Sequence, residues 1–177
     1  GMDKKGEIDY LSKIVKPDVG VITNINYAHA RNFKNIKQIA LAKSEIINNI
    51  KFNGFIVLNA DDDFYTLHKK IANKRKLRIL SFSIDNQNAN IKLVSIKRID
   101  NKFKATIRVN NLKTYFFISN SFQNNILNIL AALAVMSIFI DVSKLKKNIF
   151  LGFKTPNGRG DIAKIKIDNK KLNLIDE

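Results

Sequence analysis

The stretch VGVITNI, residues 19–25, is a short apolar run rich in β-branched residues, and it decides the fold. An unbroken run of this kind is typical of a strand that is buried on both faces of a parallel sheet. Two similar runs follow, FIVL at residues 55–58 and RILSF at residues 78–82. The sequence therefore predicts three strands of one largely parallel sheet.

Helical segments separate these strands. Residues 36–50 carry apolar side chains at i, i+3 and i+4 spacing, which predicts an amphipathic helix. A turn is predicted at Asn53-Gly54, and a second helix over Asp62–Lys74. Upstream, Gly6–Val15 predicts a short helix with one apolar side (Ile8, Leu11, Ile14 and Val15), which Pro17 ends. The order β-α-β-α-β predicts an α/β fold with a mostly parallel sheet flanked by helices.

The pattern changes after residue 90. Three runs separated by turn residues predict a small antiparallel section: Ile91–Arg98, Phe103–Val109 and Thr114–Ile118. Two helices are predicted next, over Phe122–Ile140 and Val142–Leu151. A breaker, TPNGRG at residues 155–160, precedes two more predicted strands at Ile162–Ile167 and Leu172–Ile175. We therefore divide the chain into a domain over residues 1–154, a hinge over 155–160 and the start of another domain over 161–177.

Composition excludes several kinds of site. The 177 residues include no cysteine, which rules out disulfides, thiolate metal sites and cysteine nucleophiles, and the two histidines cannot form an all-histidine zinc site. No apolar run approaches the roughly 20 residues of a membrane-spanning helix, and no secretory signal opens the sequence. We expect a cytosolic protein without a membrane span.

The net charge of +16 is open to two interpretations. Such a charge often indicates a nucleic acid or an anionic membrane as partner. However, lysine, asparagine and isoleucine are abundant throughout, as in the product of an AT-rich coding sequence, and the lysines are spread along the chain without a basic-aromatic motif that would stack bases. We expect no nucleic-acid partner, although a basic field would favour an anionic substrate.

Candidate site residues follow the first two strands, because ligands of open α/β sheets bind outside the carboxyl ends of the strands. Thr23-Asn24 and Asn59–Asp62 occupy these positions. Lys43 lies on the apolar stripe of the helix over residues 36–50. Its ammonium group either extends into water or is buried enough to lose its proton. In the second case, the neutral amine can react with CO2 to form a carbamate, whose oxygens are suitable ligands for Mg²⁺. His29, in the loop after the first strand, is either incidental or close to Lys43.

Other polar residues also have alternative explanations. For Asp62 and Asp63, capping of the following helix is favoured over metal binding. Asn124 would cap the long apolar helix, whereas Asn128 within it would be a buried amide that an adenine edge could satisfy. Arg159, between two glycines, would contact phosphate or belong to a solvated linker. These 177 residues contain neither a GxxxxGK[ST] phosphate loop nor a GxGxxG motif. His68 lies inside a predicted helix, and we interpret it as a structural or surface residue.

Taken in order, six segments of this sequence resemble the Mur ligase family: KPDVGVITNINYAHARNF (16–33), ALAKSEI (40–46), VLNADDD (57–63), NNILNILAALAV (124–135), NGRGD (157–161) and LIDE (174–177). The resemblance covers nearly the whole chain. It implies most of a central ATP-binding domain and the start of a carboxyl-terminal domain, with the phosphate loop and a metal-binding glutamate upstream of this sequence.

The resemblance also implies roles for individual residues. His29 and Lys43, the latter carbamoylated, would bind Mg²⁺. Thr23 and Asn24 would line the phosphates of ATP, Asn125 and Asn128 the adenine, Arg159 would reach ATP from the hinge and Asp176 would hold the ribose.

Three motifs favour one member of the family: the residues after Thr23-Asn24, the AKSEI at residues 42–46 and the closing IDE at residues 175–177. That member joins D-alanyl-D-alanine to UDP-N-acetylmuramoyl-tripeptide through an acyl phosphate. We expect the protein to be a monomer. A folate-type polyglutamate ligase and a basic nucleic-acid-binding module are the alternatives. Since no phosphate loop is present, we expect the chain alone to be inactive.

Overall fold

The computed structural model describes residues 2–27 and 32–153, together with the backbone of strands Ile162–Ile167 and Lys170–Ile175. Six strands form one mixed sheet in the order β1-β2-β3-β4-β5-β6. Their bounds are β1 Val19–Ile22, β2 Phe55–Asn59, β3 Arg78–Ser83, β4 Ile91–Ile99, β5 Lys102–Val109 and β6 Leu112–Ile118. Strands β1 to β4 pair in parallel and β4 to β6 antiparallel, which confirms the predicted α/β fold with a small antiparallel section.

Helices cover both sides of the parallel part of the sheet. The helices are α1 Glu7–Val15, α2 Ile36–Asn49, α3 Tyr65–Lys74 and α4 Gln123–Met136. On one side, Ile56 and Leu58 of β2 pack with Ile47 of α2 and Ala72 of α3. On the other side, Val57 and the inward residues of β3 to β6 pack against α4. Alternate residues of β2 thus point into two separate cores, because successive side chains of a strand face opposite ways.

The predicted turn before β2 is confirmed and is tightly packed. Asn53 has a φ of 60°, in the left-handed region that asparagine tolerates. A Cβ atom added to Gly54 would lie 2.7 Å from the carbonyl oxygen of Asp18 and 2.9 Å from that of Lys51. The chain therefore needs glycine at this position so that two backbone segments can approach each other.

Helix α1 packs in a way that its apolar side did not predict. Leu11, Ile14 and Val15 are largely exposed, and the buried residue is Ser12. Polar groups attach α1 to α2: the carboxylate of Glu45 accepts hydrogen bonds from the backbone of Gly6 (2.9 Å) and of Asp9 (3.2 Å). Since this carboxylate lies at the positive end of the α1 dipole, it satisfies backbone donors that have no partner within the helix.

The prediction of a helix over Val142–Leu151 is wrong. Only Val142–Lys144 forms a single 3-10 turn. The backbone N–H of Phe117 in β6 donates to the carbonyl oxygen of Lys147 (2.8 Å), and Ile118 forms a bridge with Phe150. This segment pairs with the edge strand instead of coiling, because the open edge offers it backbone partners. Likewise α4 ends at Met136, earlier than the predicted Ile140.

Strands β7 (Ile162–Ile167) and β8 (Lys170–Ile175) form a two-stranded antiparallel sheet; the two strands were predicted, and the second begins two residues before its predicted start. The predicted hinge over residues 155–160 lies outside the described residues, so the division into domains stays a prediction. Within the part of the chain that is described, no helix is both long and apolar enough to cross a membrane.

Candidate functional site

The carboxyl ends of β1 and β2 lie side by side, because these strands are parallel and adjacent. Thr23, which follows β1, is exposed, and Asn24 is half-buried. After β2 come the buried Asn59 and the half-buried Asp61 and Asp62. The structure therefore brings together the two loops in which the sequence placed the chemistry.

Lys43 reaches this edge from α2. Its side chain is half-buried, and its Nζ donates a hydrogen bond to the carbonyl oxygen of Asn24 at 2.8 Å. Burial lowers the pKa of the Lys43 amine, while the carboxylate of Asp62 opposes that shift. The amine is directed at the end of β1 and does not extend into solvent, so the simple surface interpretation of this lysine does not hold.

Asp62 links the two loops at the strand ends. One of its carboxylate oxygens accepts from the backbone N–H of Ile25 (2.7 Å) and the other from that of Phe64 (2.9 Å). Helix α3 begins only at Tyr65, with Phe64 at its N-cap position and no side-chain cap, so the expected capping by Asp62 or Asp63 is wrong. The carboxylate of Asp62 instead holds the loop after β1 against the turn before α3. Sequence reasoning missed this role because the partner is 37 residues away.

His68 lies beneath this cluster, buried between α3 and α2. Its Nε2 is 3.1 Å from the carbonyl oxygen of Ala40, and because a carbonyl only accepts, Nε2 carries the hydrogen. Burial is the main effect that lowers the pKa of His68; the charge of Lys43 lowers it further, and the Ala40 hydrogen bond and Asp62 oppose these effects. The structural interpretation of this histidine agrees with its position.

Asp61 anchors the other side of the site. Its carboxylate accepts hydrogen bonds from the hydroxyl of Ser83 and from the backbone N–H groups of Ile84 (2.6 Å) and Asn86 (3.2 Å). These groups belong to the end of β3 and to the connection between β3 and β4. Adjacent carboxylates therefore fix the loops that follow β1 and β3 relative to the end of β2.

The asparagines of α4 form a second cluster. Asn128 is exposed, so the prediction that it is the buried amide of this helix is wrong. The buried amide is Asn125, 3% exposed, which donates from Nδ2 to Asn120 Oδ1 at 3.0 Å. Its own Oδ1 is buried without a hydrogen-bond partner among the described residues. Asn124 does not cap the helix, since Phe122 occupies the N-cap position.

Several predicted site residues lie outside the described part of the chain: His29, Arg159 and Asp176. Among the residues that are described, no group of three or more His, Asp or Glu side chains could hold a metal ion. Both oxygens of Asp62 are already engaged by backbone N–H groups. A Mg²⁺ site at this edge would therefore depend on oxygens supplied by a modified Lys43 and on residues such as His29, and this stays a prediction.

Comparison with known proteins identifies the family. The family model described as the Mur ligase middle domain matches residues 1–136. The UDP-N-acetylmuramoyl-tripeptide–D-alanyl-D-alanine ligase of Rickettsia prowazekii is 31% identical over 97% of this chain, which spans 38% of that ligase. The corresponding ligase of Bacillus subtilis is 30% identical over 78% of the chain.

Solved structures give the same result. MurF from Acinetobacter baumannii superposes with a TM-score of 0.81 and 25% identity, covering 99% of this chain and 37% of that one. MurF ligase from Thermotoga maritima in complex with ADP gives a TM-score of 0.74 and 25% identity over 90% of this chain and 36% of that one. L. casei FPGS, at 15% identity and a TM-score of 0.59 over 71% of the chain, shares the fold. The chain spans less than two fifths of these relatives, and it belongs to the Mur ligase family.

Proposed function

We propose that this chain is part of an ATP-dependent amide ligase that joins D-alanyl-D-alanine to UDP-N-acetylmuramoyl-tripeptide, a step in the synthesis of peptidoglycan precursors. The observation that carries the proposal is the 31% identity to the ligase of that name along 97% of the chain. The cluster of Asn24, Lys43 and Asp62 at the carboxyl edge of the sheet supports it, since ligands of such folds bind at this edge.

The proposed reaction has two steps. The terminal carboxylate of the tripeptide attacks the γ-phosphorus of ATP, which forms an acyl phosphate and releases ADP. The amine of D-alanyl-D-alanine then attacks the acyl carbon, which forms the amide and releases phosphate and a proton. Such phosphoryl transfer depends mainly on positioning and on offsetting negative charge.

Lys43 would act through modification and would not attack the substrate. Burial lowers the pKa of its amine, so more of the neutral form exists near neutral pH than for an exposed lysine. The neutral nitrogen adds to CO2 and loses a proton, giving a carbamate. Its oxygens, together with His29, would hold the Mg²⁺ that offsets phosphate charge.

Nucleotide contacts would come from both clusters. Thr23 and Asn24 would line the phosphates. Asn125 has a buried oxygen without a partner among the described residues, and such an acceptor suits the exocyclic amine of adenine, which donates. Asn128 is exposed on the same helix and would contact the outer edge of the base. Arg159 would reach ATP from the hinge, and Asp176 would hold the ribose from the other domain.

The 177 residues alone should not turn over ATP. Their sequence has no GxxxxGK[ST] loop to bind the β- and γ-phosphates. Steady release of ADP by this chain, above that of a heat-denatured sample, would contradict the proposal that a phosphate loop outside these 177 residues is needed for ATP turnover.

The decisive experiment uses the full-length gene product. We expect ADP release that requires both UDP-N-acetylmuramoyl-tripeptide and D-alanyl-D-alanine, with the amide product detected by mass spectrometry. Lys43→Arg keeps the charge but cannot form the carbamate, and it should lower kcat at least a hundredfold, on the order of losing one strong electrostatic contribution. Lys37→Arg, an exposed lysine on the same helix, is the matched control and should be silent.

The acceptor decides between family members. Replacing D-alanyl-D-alanine by L-alanine or glutamate, and the nucleotide substrate by a folate, tests the other amide ligases whose fold this chain shares. Turnover with a folate and glutamate, and none with the muramoyl-tripeptide, would replace the proposal by a folate-type ligase.

A further inference from the structure

The antiparallel half of the sheet has one face that no described helix covers. Helix α4 packs on the side to which Ala105, Ile107 and Val109 of β5 point. The opposite side, here called the outer face, carries every alternate residue of the three strands. By strand register its members are Lys92, Ser95, Lys97, Ile99, Lys102, Lys104, Thr106, Arg108, Lys113, Tyr115 and Phe117.

The outer face is cationic and holds no carboxylate. Between Asp85 and Asp141 the only acidic residue is Asp100, which lies in the turn between β4 and β5. The hydrogen bonds of the buried Lys92 and the half-buried Arg108 go to neutral carbonyl oxygens: Lys92 donates to that of Asp85 (2.7 Å), and Arg108 to that of Gln87 (2.6 Å). The ion pairs found within residues 2–27 and 32–153 all lie elsewhere. Among the described residues, no cation of this face therefore has a carboxylate within ion-pair distance, although Asp85 lines the same depression as Lys92 and Arg108.

These cations also oppose each other. In register, Lys92 and Lys113 flank Arg108 across three strands, and Lys97 lies opposite Lys104. Side chains directly opposite one another in an antiparallel pair are about 5 Å apart at Cβ, and like charges there destabilise the sheet. A polyanion on this face would remove that repulsion.

The aromatic rings of the face are already covered. Lys102 Nζ lies 4.0 Å from the ring centre of Phe117, and Lys104 Nζ lies 4.3 Å from that of Tyr115. Rings capped by ammonium groups cannot stack nucleobases, which single-strand-binding sheets require. An apolar side chain is instead exposed at one end of the face, where Ile99, 38% exposed, ends β4.

We propose that the outer face of β4–β6 docks on an anionic lipid surface, with its lysines and Arg108 against the headgroups and Ile99 at the acyl boundary. A cationic sheet face with an apolar side chain at one end matches such a surface, and each basic residue near an anionic leaflet strengthens binding roughly fivefold. The association is peripheral and does not depend on the ligase activity.

The test compares two triple variants of the whole chain that lose the same charge. Lys97, Lys104 and Lys113 are replaced by glutamine on the outer face, and exposed Lys69, Lys70 and Lys74 are replaced on α3. Co-sedimentation uses vesicles of phosphatidylcholine with about 30% phosphatidylglycerol, and vesicles of phosphatidylcholine alone, at low and high salt. We expect the outer-face variant to lose roughly a hundredfold in partitioning, the α3 variant less than fivefold, and neutral vesicles or high salt to abolish binding.

Two further measurements keep the result interpretable. Circular dichroism and thermal unfolding should show both variants folded, since removing like charges does not weaken the sheet. Ile99→Ser should lower vesicle binding severalfold and leave any affinity for a single-stranded oligonucleotide unchanged. Equal losses in the two triple variants would show that total charge, not this face, drives binding and would overturn the proposal. Binding of the oligonucleotide through the outer face without binding of vesicles would overturn it in favour of a nucleic acid.

Discussion

The carboxylate of Asp61 links the end of β2 to the end of β3 and to the connection from β3 to β4. It accepts the hydroxyl of Ser83, whose side chain is fully buried, and the backbone N–H of Ile84 at 2.6 Å. Asp61→Ala removes the acceptor and leaves these donors without a partner in a place that water reaches poorly. We expect a large loss of stability from this one substitution.

Its size follows from the number of bonds. A hydrogen bond to a charged group contributes about 1.5–3 kcal/mol, so two short bonds at the lower end give about 3 kcal/mol for Asp61→Ala. Asp61→Asn keeps one acceptor oxygen but turns an amide N–H toward the remaining donors, and should cost about 2 kcal/mol. Asp63, exposed and two residues away, gives the matched control: Asp63→Asn should stay within about 0.5 kcal/mol.

Urea unfolding followed by circular dichroism measures these differences. With a slope of about 2 kcal/mol per molar urea, the midpoint should fall by about 1.5 M for Asp61→Ala and by about 1 M for Asp61→Asn. An unchanged slope is required for the comparison, because a changed slope indicates a different unfolded or folded state. If Asp61→Ala shifts the midpoint no more than Asp63→Asn does, Asp61 does not hold these loops together, and its role in shaping the site is refuted.

Three further outcomes are expected. With carbon-13-labelled bicarbonate, the chain should show a carbamate signal in the NMR spectrum, and Lys43→Arg should abolish it. Asp62→Asn should enlarge the signal, because the carboxylate of Asp62 keeps the pKa of Lys43 higher than burial alone would. No signal at any pH would contradict modification of Lys43. The pKa of His68 is lowered from the ordinary 6.5, so its contribution to stability is complete above that pH and is lost as pH falls, because the unfolded chain binds the proton first. Urea midpoints at about pH 7.5 and 5 should therefore differ more in the wild type than in His68→Gln, and an equal difference would count against this effect. Gly54→Ala should cost about 1–3 kcal/mol because its new methyl group meets backbone oxygens, whereas Gly152→Ala, with open space around it, should be neutral in the same thermal scan.

Much of the fold could be predicted from local pattern. The strands of the parallel section are apolar runs that stay buried, and the helices between them have apolar stripes, so each element appeared within three residues of its predicted bounds at either end. The exceptions depend on distant partners. The segment after residue 144 has a helix-like composition, but the unpaired edge of β6 binds its backbone at Lys147. Helix α1 exposes its apolar side because Glu45 and Asn49 of α2 bind its polar side.

The candidate site was predictable in its location and less so in its detail. Parallel strands bring their carboxyl ends to one edge, so Thr23, Asn24 and the aspartates after β2 had to be neighbours. The prediction that Asn128 is the buried amide was wrong, because Asn125, about one turn earlier, is the residue that faces the core. In an apolar helix, two polar residues three positions apart give no local signal of which one is buried. The roles of Asp61 and Asp62 depend on backbone groups more than 20 residues away.

The clustering of lysines on the outer face of β4–β6 could not be recognised before the strand pairing was known. Lysines spread evenly along residues 92–113 look unclustered in one dimension. In strands, residues two apart share a face, and antiparallel pairing places three such rows side by side. If lysine were abundant only because of the coding composition, lysines would occupy exposed positions of every helix and strand, with some carboxylates between them. Helix α1 has this mixture, since Lys13 pairs there with Asp9. The outer face of β4–β6 has the cations without the carboxylates, so composition explains why the lysines are abundant and leaves unexplained why their partners are missing there.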